Sequence, residues 1–139
     1  MGRVFFNTRK NLDTTSLTGT DTYVMKQSDS GKTFMVSGGT QTITLLPAAD
    51  KQEGRHCSFV TTASPSGDKT FNAGSSIIHG THVATPTESD NGLGTDGTAI
   101  GTFVLKAASQ AGNKMDLFTD GSQYYFFAAA SQDAAFHTS

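Results

Sequence analysis

Only one cysteine, Cys57, occurs in the 139 residues, which excludes an internal disulfide and cannot by itself make a metal site. Its place inside a β-patterned run predicts a small buried apolar residue rather than a reactive thiol. Charge is scarce as well. Asp, Glu, Lys and Arg make up 16% of the chain and the formal net charge is -2, so nothing favours direct binding to nucleic acid or to an acidic membrane. Such a low charge content also leaves uncharged surface for neighbours to cover. No apolar run approaches the length of a membrane span, and Met1-Gly2-Arg3 leads into no signal-type apolar region. The myristoylation pattern fails at Phe6, where Ser or Thr is required. The expectation is a soluble product made in a cytoplasm. Chemistry is equally thin: there is no Gly-x-Ser-x-Gly elbow, and no carboxylate pair stands in an apolar setting that would tune it for acid-base work. No enzyme activity and no cofactor are expected.

What the chain does contain is glycine, 15 residues of it, with abundant Thr and Ser. That composition disfavours helices and suits many short strands joined by turns. The length fits one domain with a core of its own. Alternating apolar runs predict strands over residues 21–26, 32–37, 40–46, 55–62, 69–71, 75–83, 99–108, 114–119 and 123–130. Gly38-Gly39 between two such runs predicts a tight hairpin, and Pro47 ends the second run. Asp120-Gly121 predicts another hairpin, and Gly80 a bulge. Eight or nine short strands without a helix argue for an all-β fold, a jelly roll or a two-sheet β-sandwich of about eight strands. The domain is expected over residues 19–139, with a frayed end after residue 130.

Residues 1–18 differ from the rest and are expected to form an extended N-terminal arm. Phe5 and Phe6, beside Arg9, are either docking anchors or the start of an edge strand on the domain's own core. At the other end, residues 123–130 carry aromatics on both faces, Tyr124 and Phe126 against Tyr125 and Phe127. Such a strand is central to a closed barrel or half-buried by another chain.

Three apparent motifs do not hold. Asp29-Ser30-Gly31-Lys32-Thr33 resembles the end of a phosphate-binding loop, but Lys26 stands where the first glycine belongs and a strand follows instead of a helix. His56, His79 and His82 lie on two predicted strands and read as surface histidines rather than a zinc site. Glu88, Asp90, Asn91 and Asp96 share the long irregular stretch 84–98, but Gly92 and Gly94 occupy ligand positions of a calcium loop, so a solvated loop is expected.

The order of several pieces resembles a β-module of tailed-phage structural proteins. These are Asp29-Ser30-Gly31-Lys32-Thr33-Phe34, then Thr42-Ile43-Thr44-Leu45-Leu46-Pro47, then Gly54 with the strand at 57–62. The last is Asp116-Leu117-Phe118-Thr119-Asp120-Gly121-Ser122-Gln123-Tyr124-Tyr125, where Tyr-Tyr replaces a pair in which Trp is commoner. The module occurs in capsid decoration (cement) proteins, head fibres and tail-fibre repeats. With no coiled-coil heptads or collagen-like triplets in the chain, the resemblance is to a bacteriophage capsid decoration protein. It implies a homotrimer on the outer surface of the virion that binds the major capsid protein and stabilises the capsid. Phe5, Phe6 and Arg9 are then candidate capsid-binding residues, and Tyr125 and Phe127 candidate trimer-interface residues. The alternative is a head- or tail-fibre module that binds a host glycan or receptor through the 84–98 loop or exposed tyrosines. A small lyase or hydrolase would need convergent carboxylates and histidines, and the histidines here are scattered.

Overall fold

The computed structural model describes residues 14–46, 50, 53–84, 98–107, 109–131 and 136–138. Eleven short strands run through them: β1 (Thr14–Leu17), β2 (Tyr23–Val24), β3 (Thr33–Val36), β4 (Gln41–Thr44), β5 (His56–Thr61), β6 (Lys69–Asn72), β7 (Ile78–Ala84), β8 (Thr102–Leu105), β9 (Lys114–Thr119), β10 (Tyr124–Ala130) and β11 (Phe136–Thr138). One turn of 3-10 helix spans Gln27–Asp29. The strands form two sheets, one in the order β1-β3-β5-β9-β10-β7 and the other β11-β8-β6-β4-β2. The protein is an all-β, two-sheet sandwich.

Its first half is wound unlike a jelly roll. The chain alternates between the sheets, β1 to β2 to β3 and on to β6, and each strand pairs in parallel with the one two positions later. Parallel neighbours need a crossover, and here the opposite sheet supplies it. Three rungs therefore stack, β1–β2, β3–β4 and β5–β6. Antiparallel strands continue both sheets beyond the third rung: β9 on β5 and β10 on β9 in one, β8 on β6 and β11 on β8 in the other. The long strand β7 then closes the first sheet, parallel to β10.

This winding corrects the Gly38-Gly39 hairpin. β3 and β4 lie in different sheets, and the glycines form a corner between them. Corners of successive rungs sit on one another, with Ser37 N–H donating to the Leu17 carbonyl and Ser66 N–H to the Gly38 carbonyl. Gly38 has φ 76°, and a Cβ there would stand 2.1 Å from the Thr18 carbonyl oxygen. Glycine is required because one backbone stacks directly on another, a demand that looks in sequence like a hairpin turn.

Other expectations shift. Residues 14–17, expected in the arm, form β1 with Leu17 buried, so they belong to the sandwich. β11 falls in the stretch expected to be frayed. Gly80 makes no bulge: β7 and β10 pair residue for residue from Tyr124 opposite Ile78 to Ala130 opposite Ala84. The Asp120-Gly121 hairpin is present between β9 and β10. Asp120 Oδ1 accepts from the Ser122 and Gln123 N–H groups, which holds the turn.

A chain of rings fills the space between the sheets. Tyr23 meets Phe34 edge-on at 5.6 Å, Phe34 stacks on Phe59 at 4.9 Å, and Phe59 meets Phe71 edge-on at 4.8 Å. Phe71 continues to Phe103, and Phe103 to Phe126. These rings come from six strands, so the core ties the parallel rungs to the antiparallel half. One cation shares the interior. Lys69 is fully buried on β6, with Nζ donating to the Gly19 carbonyl at 3.2 Å and to Gln41 Oε1 at 3.4 Å.

Candidate interaction face

Strands β9 and β10 alternate cleanly, so Met115, Leu117, Tyr124, Phe126 and Ala128 enter the core while Phe118, Tyr125 and Phe127 point outward. Strand register then makes a row across four strands of the larger sheet: His56 opposite Phe118, Phe118 opposite Tyr125, and Tyr125 opposite His79. The Phe118 and Tyr125 rings are 5.2 Å apart with planes 19° from parallel, and His79 and Tyr125 are 5.9 Å apart at 23°. Phe118 and Tyr125 are too close to lie side by side in one plane, so they stand on edge, face against face. Tyr125 is pinned at its far end, where its hydroxyl donates to Asp120 Oδ2 at 3.0 Å. That hydrogen bond raises the tyrosine's pKa. The Gln123 and Ser122 N–H groups in turn lower that of Asp120.

Beside this row lie Phe127, opposite Asp116 and Thr81, and Val83, opposite Ala129. Phe118 is 49% exposed, Phe127 51% and Val83 51%, which makes this face the main apolar surface among the described residues. Polar groups rim it: Lys114 pairs with Asp116 at 2.9 Å, and the Ser58 hydroxyl donates to the same carboxylate. An apolar centre with a charged edge is the pattern of a protein contact surface.

Of the candidate residues, Tyr125 and Phe127 come together on this outer face, joined by Phe118, His79 and Val83. Phe118 was legible in sequence, since alternation from Lys114 through Asp116 places it outward and the Asp120-Gly121 hairpin brings it opposite Tyr125. Val83 and His79 were not, because the pairing of β7 with β10 joins distant segments. Phe5, Phe6 and Arg9, and the acidic stretch with Glu88, Asp90, Asn91 and Asp96, lie outside the described residues. His56 and His79 occupy the two ends of the row, three strand spacings or about 14 Å apart, too far to share an ion. Among the described residues no three His, Cys, Asp or Glu side chains cluster as metal ligands.

A second feature lies at one end of the sandwich, a narrow cleft of about 30 Å³ that Asp29, Arg55, Cys57 and Tyr124 line with Met25 and Leu117. Asp29 is buried and accepts from Lys32 Nζ at 2.9 Å, from the Lys26 N–H at 2.8 Å and from the Tyr23 hydroxyl at 3.0 Å. Burial opposes its charge, but these three donors outweigh burial and hold its pKa below the usual carboxylate value. Burial, with Asp29 and Asp116 nearby, pushes the Cys57 thiol up to about 12, so it is protonated and inert. Asp29 and Lys32, in the stretch where the phosphate-loop resemblance fails, form an ion pair that leads from the helical turn Gln27–Asp29 into β3.

Fold and surface define the class: a two-sheet β-sandwich wound on three parallel rungs, with an aromatic row on its outer face. No protein-family model, no curated protein and no solved structure matches the chain. Among the described residues no helix is long and apolar enough to cross a membrane.

Proposed function

We propose that the protein is a structural virion protein that decorates a phage capsid, associating with itself as a homotrimer and binding the major capsid protein on the outer surface. The phage-module motifs suggest this, and one structural observation supports it: the outward row of Phe118 and Tyr125, with Phe118 half-exposed and half-exposed Phe127 and Val83 beside it. Aromatic side chains on a rigid sheet lose little conformational entropy on contact and carry much of an interface's energy. The same geometry speaks against a glycan platform. A sugar ring stacks on an open aromatic face, and here Phe118 and Tyr125 cover each other's faces.

In this reading Tyr125 and Phe127 meet their copies in the trimer, and residues 1–13, with Phe5, Phe6 and Arg9, engage the capsid. Binding to the assembled shell, and not to free subunits, stabilises the shell by mass action. Symmetry repeats a modest energy many times, and linked contacts add avidity.

The test is co-sedimentation of the purified protein with emptied phage heads, alongside the mass of the free oligomer. The expected result is stoichiometric capture of a trimer; a monomer that stays in the supernatant overturns the proposal. Deleting residues 2–13 should abolish capture and leave the trimer intact. The deletion must stop there, because β1 carries the buried Leu17 opposite the buried Val36 of β3.

A further inference from the structure

The stack of parallel rungs ends on an open edge. Among the described residues β2 is the last strand of its sheet and pairs on one side only, with β4. The Met25 N–H donates to the Thr44 carbonyl, so by alternation the Val24 N–H and carbonyl face away from β4. Among the described residues neither group has a partner. The side chains at this edge are apolar as well. Val24 is 56% exposed on the outer face, while Tyr23 and Met25 pack against the core. An uncovered apolar edge is a place for a further strand.

The spacing of the rungs selects the segment that fits. Paired residues stand 19 apart between β1 and β3, with Thr14 opposite Thr33, and 20 apart between β2 and β4, with Tyr23 opposite Ile43. A step of 19 back from Tyr23, Val24 and Met25 reaches Val4, Phe5 and Phe6, a run of three residues with high strand preference. A step of 20 would set the charged Arg3 opposite Tyr23, whose ring lies against Phe34 in the core. We propose that residues 4–6 of the same chain add a strand to β2, parallel to it, with Val4 opposite Tyr23 and Phe5 opposite Val24.

In that register the Val24 N–H donates to the Val4 carbonyl, and the Phe6 N–H to the Val24 carbonyl. Val4 and Phe6 turn inward beside Tyr23 and Met25, and Phe5 packs outside against Val24. Residues 7–13 then cross from one sheet to the other, much as residues 25–32 cross between β2 and β3. A second copy's β2 is a poorer occupant, since it offers only two residues to pair. The pairing does not rest on capsid binding. Of the two phenylalanines assigned to that contact, it leaves Phe5 outside and turns Phe6 inward.

The experiment measures amide hydrogen exchange and NOE contacts in the full-length protein and in a variant lacking residues 2–6. The expected result is a protected Val24 amide and an NOE between the Phe5 ring and the Val24 methyl groups, with protection lost in the shortened variant. Phe6→Ser should lower the melting temperature more than Phe5→Ser, and equal losses would overturn the register. An unprotected Val24 amide in the full-length protein overturns the strand itself. So does a Phe5–Val24 NOE seen only between differently labelled copies, which would assign the segment to a second chain. The exchange and NOE readouts need only the wild-type protein, so they stand even if a variant fails to fold.

Discussion

Gly80 packs against the backbone of Phe126 so closely that a Cβ at residue 80 would stand 2.1 Å from the Phe126 carbonyl oxygen. Its φ of 155° also lies where other residues are strained. The pairing of β7 with β10, which brings Val83 and His79 to the outer face, depends on this approach. Gly80→Ala is expected to cost about 1–3 kcal/mol, the range for backbone strain. Urea unfolding measures the loss, and an unchanged midpoint would contradict the close packing.

The ring chain from Tyr23 to Phe126 makes Phe59 a junction, stacked on Phe34 and edge-on to Phe71. Phe59→Ala is expected to cost about 3–5 kcal/mol through lost burial and the cavity left behind. Phe59→Leu retains most of the volume and should cost clearly less. Equal losses in the two variants, read from denaturation midpoints, would show that the ring contacts and not the filled volume set the cost.

Lys69 offers a pH test. Burial lowers its pKa in the folded state from the ordinary 10.5. The unfolded chain then binds more protons than the folded one between the lowered value and 10.5, so this residue makes stability rise with pH across that window. Tyr23, Tyr124 and Cys57 act oppositely at high pH, since each is pushed up to about 12 in the fold. Comparing wild type with Lys69→Met isolates the lysine: the variant should be as stable as wild type or more stable by about 1 kcal/mol at neutral pH. Its advantage should shrink as pH rises, and a constant difference would argue against a buried charge.

Asp29 should govern part of the acid limb. Its folded pKa is lowered, so its contribution is complete above the unfolded value of 3.8 and is lost as pH falls through the folded one. Asp29→Asn should remove about 2 kcal/mol at neutral pH and flatten the acid dependence, measured as melting temperature against pH. A parallel acid limb in the variant would place the titration elsewhere.

Phe127 tests the outer face. At 51% exposed it contributes little to the core, so Phe127→Lys should leave stability within about 0.5 kcal/mol of wild type. The new ammonium would lie opposite Asp116 in the sheet. If this face joins the copies, the variant should sediment as a lighter species; an unchanged oligomer would move the interface to another surface.

Strands were largely legible before the structure because a period of two needs only local residues. Lys114–Thr119 and Tyr124–Ala130 illustrate this, since alternation sorts their side chains into two faces and Asp120 holds the hairpin that joins them. Strand partners were less legible. Gly38-Gly39 serves a stacked corner between sheets, and nothing local separates that from a hairpin, because both demand a backbone without Cβ. Parallel pairing of β1, β3 and β5 likewise depends on contacts between segments far apart in the chain.

The sequence by itself determined an all-β domain, the two-faced alternation of its last strands, and that Tyr125 and Phe127 share one face of the last of them. Only the tertiary structure decided that the first six strands wind as parallel rungs and that Phe118, Tyr125 and His79 form one row. The reason is physical: alternation and turn chemistry act within a few residues, whereas register and ring stacking arise only when distant strands meet.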